Sequence, residues 1–345
     1  MAYGKPKTDN SAYQKLKTEI AEGNLGTLYV FHGEEAYLRD YYLGRMKAKL
    51  LPEGLEDFNY HVLQGKDFDL KGLAMLIDCL PVMSERTLLV VMDYDLYKGD
   101  KEGLAALLGD LPDYLCLVFV YDLIEYKADA RTKLAAAIKA TGSVVQFQRQ
   151  EQGDLVDWIR RRFKADGHDI DSEEARYLIF QCGDLMTGLI SEIGKISAYA
   201  KNHRVTRADI DAVATPQLDA VVFQMTDAIA AGNFEKAAAV LGDLFHMQEA
   251  PIKLLAVLGR QLRQLYSARL ALEAGKGSPY LMELWGLRSA YPADKLMQAA
   301  RRFSLSWCRR AVIRCGEMDM EMKSGGDGEE LLIGLLLELA RKRAG

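Results

Sequence analysis

The chain has 345 residues, enough for two or three domains that each bury a core of their own. Apolar residues make up 49% and charged residues 27%, a globular balance that excludes a disordered or fibrous chain. The net charge of −5 argues against a general polyanion binder.

The opening, MAYGKPKTDN, lacks the apolar stretch of a signal peptide. The longest apolar run, 331–337, falls far short of the ~20 residues a membrane span needs. No membrane association is expected. The first predicted strand, 27–31, leads into a turn at His32 and Gly33 and a helix from about Glu34. A strand, a glycine turn and a helix open a P-loop nucleotide-binding domain, though an ordinary α/β domain opens in the same way. Counted from Gly33, a phosphate loop needs glycine at position 38, lysine at 39 and serine or threonine at 40. The chain has Leu38, Arg39 and Asp40. Phosphate cradling needs bare backbone N–H groups and a lysine reaching over them. Glu34 and Glu35 suit the helix dipole but would repel a triphosphate. The pattern keeps the shell of a nucleotide-binding domain without its chemistry, so no cofactor is expected.

A helix over 36–51 ends at Pro52, a weakly alternating strand covers 58–63, and a short helix covers 70–80. Pro81, Val82, Met83 and Ser84 break that helix. The runs TLLVVM (87–92) and LCLVFVY (115–121) read as buried strands, and 143–147 as another. Helices over 101–108 and 131–140 lie between them. This βα succession predicts a largely parallel sheet covered by helices.

After Gly153 no further strand is expected. Helices are predicted over 154–165, from Asp171 to Gly183, over 184–201, and from Thr206. Asp171 with Glu174 has the spacing of a capping box. Pro216 marks a linker. Further helices are predicted over 217–231, 234–247, 251–274, 280–285, 293–303, 306–323 and 328–343, with Pro251 as the first residue of the longest. The domains expected are 1–152, an α/β domain; 153–215, a small helical domain; and 216–345, an all-helical domain.

Catalytic and metal signatures are sparse. The cysteines (Cys79, Cys116, Cys182, Cys308, Cys315) form no CxxC pair, so neither a disulfide framework nor a zinc site is expected, and free thiols fit a reducing cytoplasm. The histidines (His32, His61, His168, His203, His246) are far apart, and no G-x-S-x-G or H-E-x-x-H is present. Asp93 and Asp95 follow an apolar strand, where a P-loop enzyme holds its metal, but without a phosphate loop they read as solvent charges. No metal and no catalytic residue is assigned.

Two stretches suggest binding. Leu80, Pro81, Val82 and Met83 place apolar residues at a helix-to-strand corner. Such residues ordinarily fold into the local core; facing water, they would form an anchor for a pocket on a partner. Between Pro251 and Cys315 there are twelve Lys/Arg against three acids. Arg260 and Arg263 share a helix face there, and Arg301, Arg302, Arg309, Arg310 and Arg314 add to the excess. Interleaved with Tyr266, Trp285, Tyr291 and Trp307, they would track a nucleic-acid backbone, or form a solvated helical surface.

Several stretches together resemble the delta-subunit family of the bacterial DNA polymerase III clamp loader: LYVFHGEEAYLRD (28–40), LPVMSERTLLVV (80–91), DWIRRRF (157–163), SEIGKISAYA (191–200), GRQLRQL (259–265), ARRFS (300–304) and EMDMEMKSG (317–325). They follow the family's order and spacing. The resemblance implies an AAA+-like α/β domain lacking a phosphate loop, a helical lid, and an all-α collar that joins a ring of subunits. It implies no ATP hydrolysis and no catalytic activity in this chain, which would be an accessory subunit of the DNA polymerase III holoenzyme. The implied role is cytoplasmic DNA replication: binding the sliding clamp, the beta subunit, and holding it open for loading on primed DNA. The implied partners are the clamp, the other clamp-loader subunits through the collar, and primed DNA in the assembled complex. The family's clamp-contacting turn falls on Leu80, Pro81, Val82 and Met83. Its members tend to carry a bulky apolar pair there; here Pro81 and Val82 stand between Leu80 and Met83. Arg260 and Arg263 are the candidates for DNA contact. Asp319 and Lys323 sit one helical turn apart and are expected to pair in a structural role. Two other readings remain: an NTPase with an aberrant phosphate loop, and a stand-alone nucleic-acid-binding protein.

Overall fold

The computed structural model describes residues 10–246, 248–287 and 289–341. The expected helix ends at Met247 and Arg343 lie outside them, as does most of the opening ten residues. The chain divides into two compact units, Met1–Arg149 and Gln150–Gly345.

The first unit runs α1 (Ser11–Glu22), β1 (Leu28–His32), α2 (Ala36–Leu50), α3 (Glu56–Asn59), β2 (Tyr60–Gln64), α4 (Leu70–Asp78), β3 (Thr87–Met92), α5 (Lys101–Leu108), β4 (Leu115–Val120), α6 (Lys133–Thr141) and β5 (Gly142–Gln146). All five strands are parallel, in the order β2-β3-β4-β1-β5. β4 is buried along its whole length because helices cover both faces of the sheet, which is why its sequence is a continuous apolar run. Alternate side chains serve alternate faces. Leu28, Val30, Leu89, Val91, Leu117 and Phe119 meet Leu73 and Ile77 of α4, Leu104 and Leu108 of α5, and Leu134 and Ile138 of α6. On the other face Phe31 packs edge-on to Phe147, which also meets Tyr13 of α1 and Tyr42 of α2.

The helix α1 was not expected from the sequence. Only Leu16 and Ile20 of it are buried, too thin a stripe to stand out against its charged residues. Tertiary contacts hold it: the Tyr29 hydroxyl donates to the Glu19 carboxylate at 2.8 Å and accepts the Gly26 N–H at 2.7 Å.

The second unit runs α7 (Gln152–Ala165), β6 (Asp169–Ile170), α8 (Ser172–Cys182), α9 (Met186–Tyr199), β7 (Arg204–Val205), α10 (Arg207–Val213), α11 (Leu218–Ala231), α12 (Phe234–His246), α13 (Pro251–Glu273), α14 (Ser278–Trp285), α15 (Ala290–Ala300), α16 (Leu305–Lys323) and α17 (Gly328–Arg341). β6 and β7 are two-residue strands paired in parallel, where no strand was expected. The expected capping box of α8 is absent. Asp171 makes no cap bond and pairs with Arg204, and Glu174 takes the Arg207 guanidinium at 3.1 Å. A full positive charge outcompetes a neutral N–H for a carboxylate. The box forms instead at α10, where Thr206 and Asp209 bond each other's backbone N–H.

From α11 onward one cluster gathers every helix, with the buried leucines Leu254, Leu255, Leu258, Leu262 and Leu265 of α13 in it. Trp307 of α16 stacks on Phe303, and its ring N–H donates to the Leu339 carbonyl of α17. Asp319 and Lys323 pair at 2.6 Å as expected.

Candidate functional site

The turn after β1 sits where an open α/β sheet binds ligands, at the carboxyl ends of its strands. Here it is laced shut. The Glu35 N–H donates to the Phe147 carbonyl at 3.0 Å, and the Phe147 N–H donates to the His32 carbonyl at 2.7 Å. Gly33 has φ +119°, and a Cβ on it would lie 2.3 Å from the Phe147 oxygen. Arg39 stands where a phosphate loop has its lysine, and it is 3% exposed. Its guanidinium donates to the Tyr121 carbonyl at 3.2 Å and to the Asp122 carboxylate at 2.5 Å. Glu34 pairs with Arg149 at 2.7 Å. The rings of His32, Tyr97, Tyr121 and Tyr126 crowd the neighbouring space, and burial lowers the His32 pKa. These residues do not fit a nucleotide triphosphate. The loop amide and the basic side chain that would hold it are already spent within the protein.

Asp93 is more than a solvent charge. It adopts φ 54° at the end of β3, and its carboxylate accepts the N–H groups of Asp122 and Leu123, each at 2.8 Å, and of Ile124 at 3.4 Å. Three successive backbone amides around one carboxylate form a nest that fixes the loop after β4. Among the described residues, no group of three His, Cys, Asp or Glu side chains is placed to hold a metal.

The corner between α4 and β3 faces water. Leu80 is 73% exposed, Val82 45% and Met83 85%, and Pro81 is half-buried. α4 ends at Asp78 because Cys79 turns to an extended backbone, two residues before a proline that could not continue the helix. The loop is tied at Val82 and at Arg86. Asn59, fully buried, exchanges two hydrogen bonds with the backbone of Val82, at 2.8 and 2.9 Å. Arg86 donates to the carbonyls of Leu25, Gly26 and Leu115. Met75 on α4 and Phe58 on α3 are exposed as well. Neither they nor Asn59 was singled out in the sequence. An asparagine beside an aromatic residue ahead of a strand carries no local signal, since its partner lies 23 residues away.

Arg260 and Arg263 both lie exposed on α13. Arg260 pairs with Asp219 of α11. Arg314 is held by Glu317, Glu321 and Glu338, and Arg269 by Glu273. The basic excess of the stretch is therefore partly met by acids outside it. Of the aromatics interleaved with these basic residues, Trp307 is buried, and Tyr266 and Trp285 are partly buried against the helical core. Of the five thiols, only Cys79 is exposed. Burial pushes the thiols of Cys116, Cys182 and Cys315 up to about 12 and that of Cys308 up to about 11, leaving them unreactive.

Residues 219–338 match the family model of the DNA polymerase III delta subunit, C-terminal domain. Over 332 residues the chain is 23% identical to DNA polymerase III subunit delta of Bacillus subtilis, covering 94% of this chain and 95% of that one. The resemblance to the DNA polymerase III delta subunit holds along nearly the whole chain. A probable delta subunit of Aquifex aeolicus is 22% identical over 294 residues, with 82% of each chain covered. The solved structure of the Bacillus subtilis DNA clamp loader delta protein superposes with a TM-score of 0.54 at 22% identity, covering 95% of this chain and 99% of that one. It shares the fold: a parallel α/β unit followed by helices. No described helix is long and apolar enough to cross a membrane.

Proposed function

We propose that this chain is the clamp-opening subunit of a bacterial clamp loader, which works by gripping a sliding clamp and breaks no bond itself. The observation that carries the reading is the exposed apolar corner of Leu80, Val82 and Met83, held in shape from behind by Asn59. Bulky apolar side chains displayed on an ordered loop suit an anchor that inserts into a pocket on another protein. The name of the Bacillus subtilis relative, a clamp loader delta protein, supplies the assembly. The buried Arg39 and the laced turn at Gly33 support a subunit that leaves ATP to its neighbours, and they weigh against an NTPase with an altered loop.

A closed ring opens rarely by itself. A subunit that prefers the open form raises its share only by its differential affinity for that form. The corner therefore engages the clamp where opening changes its shape. On this reading residues 1–152 bind the clamp, 153–215 form the lid, and 216–345 form a collar that meets the other loader subunits in the cytoplasm. Arg260 and Arg263 are the proposed contacts to primed DNA within the assembled complex. The test is capture of purified sliding clamp by the full chain and by Leu80→Ala with Met83→Ala. Capture is expected to fail for the variant, and equal capture would remove the site.

A further inference from the structure

The corner takes its shape from a residue outside it. The Asn59 side-chain carbonyl accepts the Val82 N–H at 2.8 Å, and its NH2 donates to the Val82 carbonyl at 2.9 Å. The same NH2 donates to the Leu55 carbonyl at 3.0 Å. Flipping the amide would set acceptor against acceptor and donor against donor, so its orientation is settled by these partners. Two bonds to one residue act as a rung of a ladder, fixing where that peptide lies and which way it faces. The next residue, Met83, has φ 50°. A side-chain-bearing residue keeps that left-handed backbone only where its surroundings over-determine it. Ser84 continues the restraint, its hydroxyl donating to the Arg86 carbonyl at 3.0 Å.

We infer that Asn59 is the positioning residue of the corner. By pinning both backbone groups of Val82 it holds Met83 in its left-handed turn, and so keeps Leu80, Val82 and Met83 facing outward together. This rests on the docking role proposed above, but the ordering of the corner is measurable without the clamp. Asn59 itself is fully buried, so it acts through the residues it holds. Its effect on affinity runs through the fraction of molecules whose corner is correctly formed, and apparent affinity falls in proportion to that fraction. If one molecule in ten keeps the form, the Kd rises about tenfold.

Cys79, the exposed thiol at the head of the corner, gives the probe. The full chain is labelled there with a trifluoromethyl group and its fluorine resonance recorded for the parent, Asn59→Ala and Asn59→Asp. The aspartate keeps the size and the acceptor but cannot donate to the Val82 carbonyl. Clamp affinity is measured on unlabelled protein, and a melting curve shows that each variant still unfolds cooperatively. Both variants are expected to broaden or split the resonance and to weaken clamp binding about tenfold. An unchanged resonance with affinity within about threefold of the parent, in variants that remain folded, overturns the inference. If Leu80→Ala with Met83→Ala leaves clamp binding intact while the Asn59 variants disturb the resonance, the docking reading fails and the positioning role stands.

Discussion

Replacing Leu80 and Met83 together by alanine separates docking from folding. Leu80 is 73% exposed and Met83 85%, so neither contributes much to the fold. Surface substitutions of this kind change stability by about 0.5 kcal/mol or less, or roughly 2 °C in melting temperature. In a complex the same side chains would leave water. Fully burying a leucine or methionine side chain is worth roughly 1.5–3 kcal/mol. Scaled by the exposed fraction, and less what alanine retains, the pair should cost roughly 2–4 kcal/mol of binding. That is a rise in Kd of about 30-fold to several hundred-fold. Surface plasmon resonance with immobilised sliding clamp reads it directly, with the change expected mostly in the dissociation rate. Clamp affinity within about threefold of the parent, with an unchanged melting curve, would mean that the corner is not the anchor.

Millimolar ATP is expected to leave the melting temperature of the isolated chain unchanged, because the Glu35 N–H and the Arg39 guanidinium are already committed. A concentration-dependent rise would mean that nucleotide binds the folded form. Gly33→Ala should destabilise the chain by about 2 kcal/mol or more, read by urea unfolding, since φ is +119° and the new methyl would meet the Phe147 carbonyl. Wild-type stability in that variant would mean the turn can open. One thiol of the native chain, Cys79, should react quickly with a disulfide reagent, and the rest only in denaturant. Quick reaction of a second would contradict the burial of the other four.

How much was legible in the sequence depended on whether the cause was local. TLLVVM and LCLVFVY announced buried strands because a strand covered on both faces has no polar side to show, and β3 begins and ends where the run does. The missing glycine and lysine after Gly33 were equally plain, since a phosphate loop is a contiguous pattern. Thr206 and Asp209 closed their capping box, whereas Asp171 and Glu174, with the same spacing, did not. Nothing within α8 distinguishes the two. The difference lies in Arg204 and Arg207, some thirty residues on.

Which segments bury apolar surface, and the loss of the phosphate-binding loop, could be read along the chain, because periodicity and composition act over neighbouring residues. Which way the apolar corner faces is fixed on folding. A leucine has the same hydrophobicity inside or outside; its exposure depends on whether another element covers it, and none in the first unit covers Leu80 or Met83. The same holds for the grip of Asn59 on Val82, the hold of Asp93 on the loop after β4, and the pairing of Arg260 with Asp219. Each joins residues far apart in the chain, and chain distance carries no trace of such contacts until the fold brings them together.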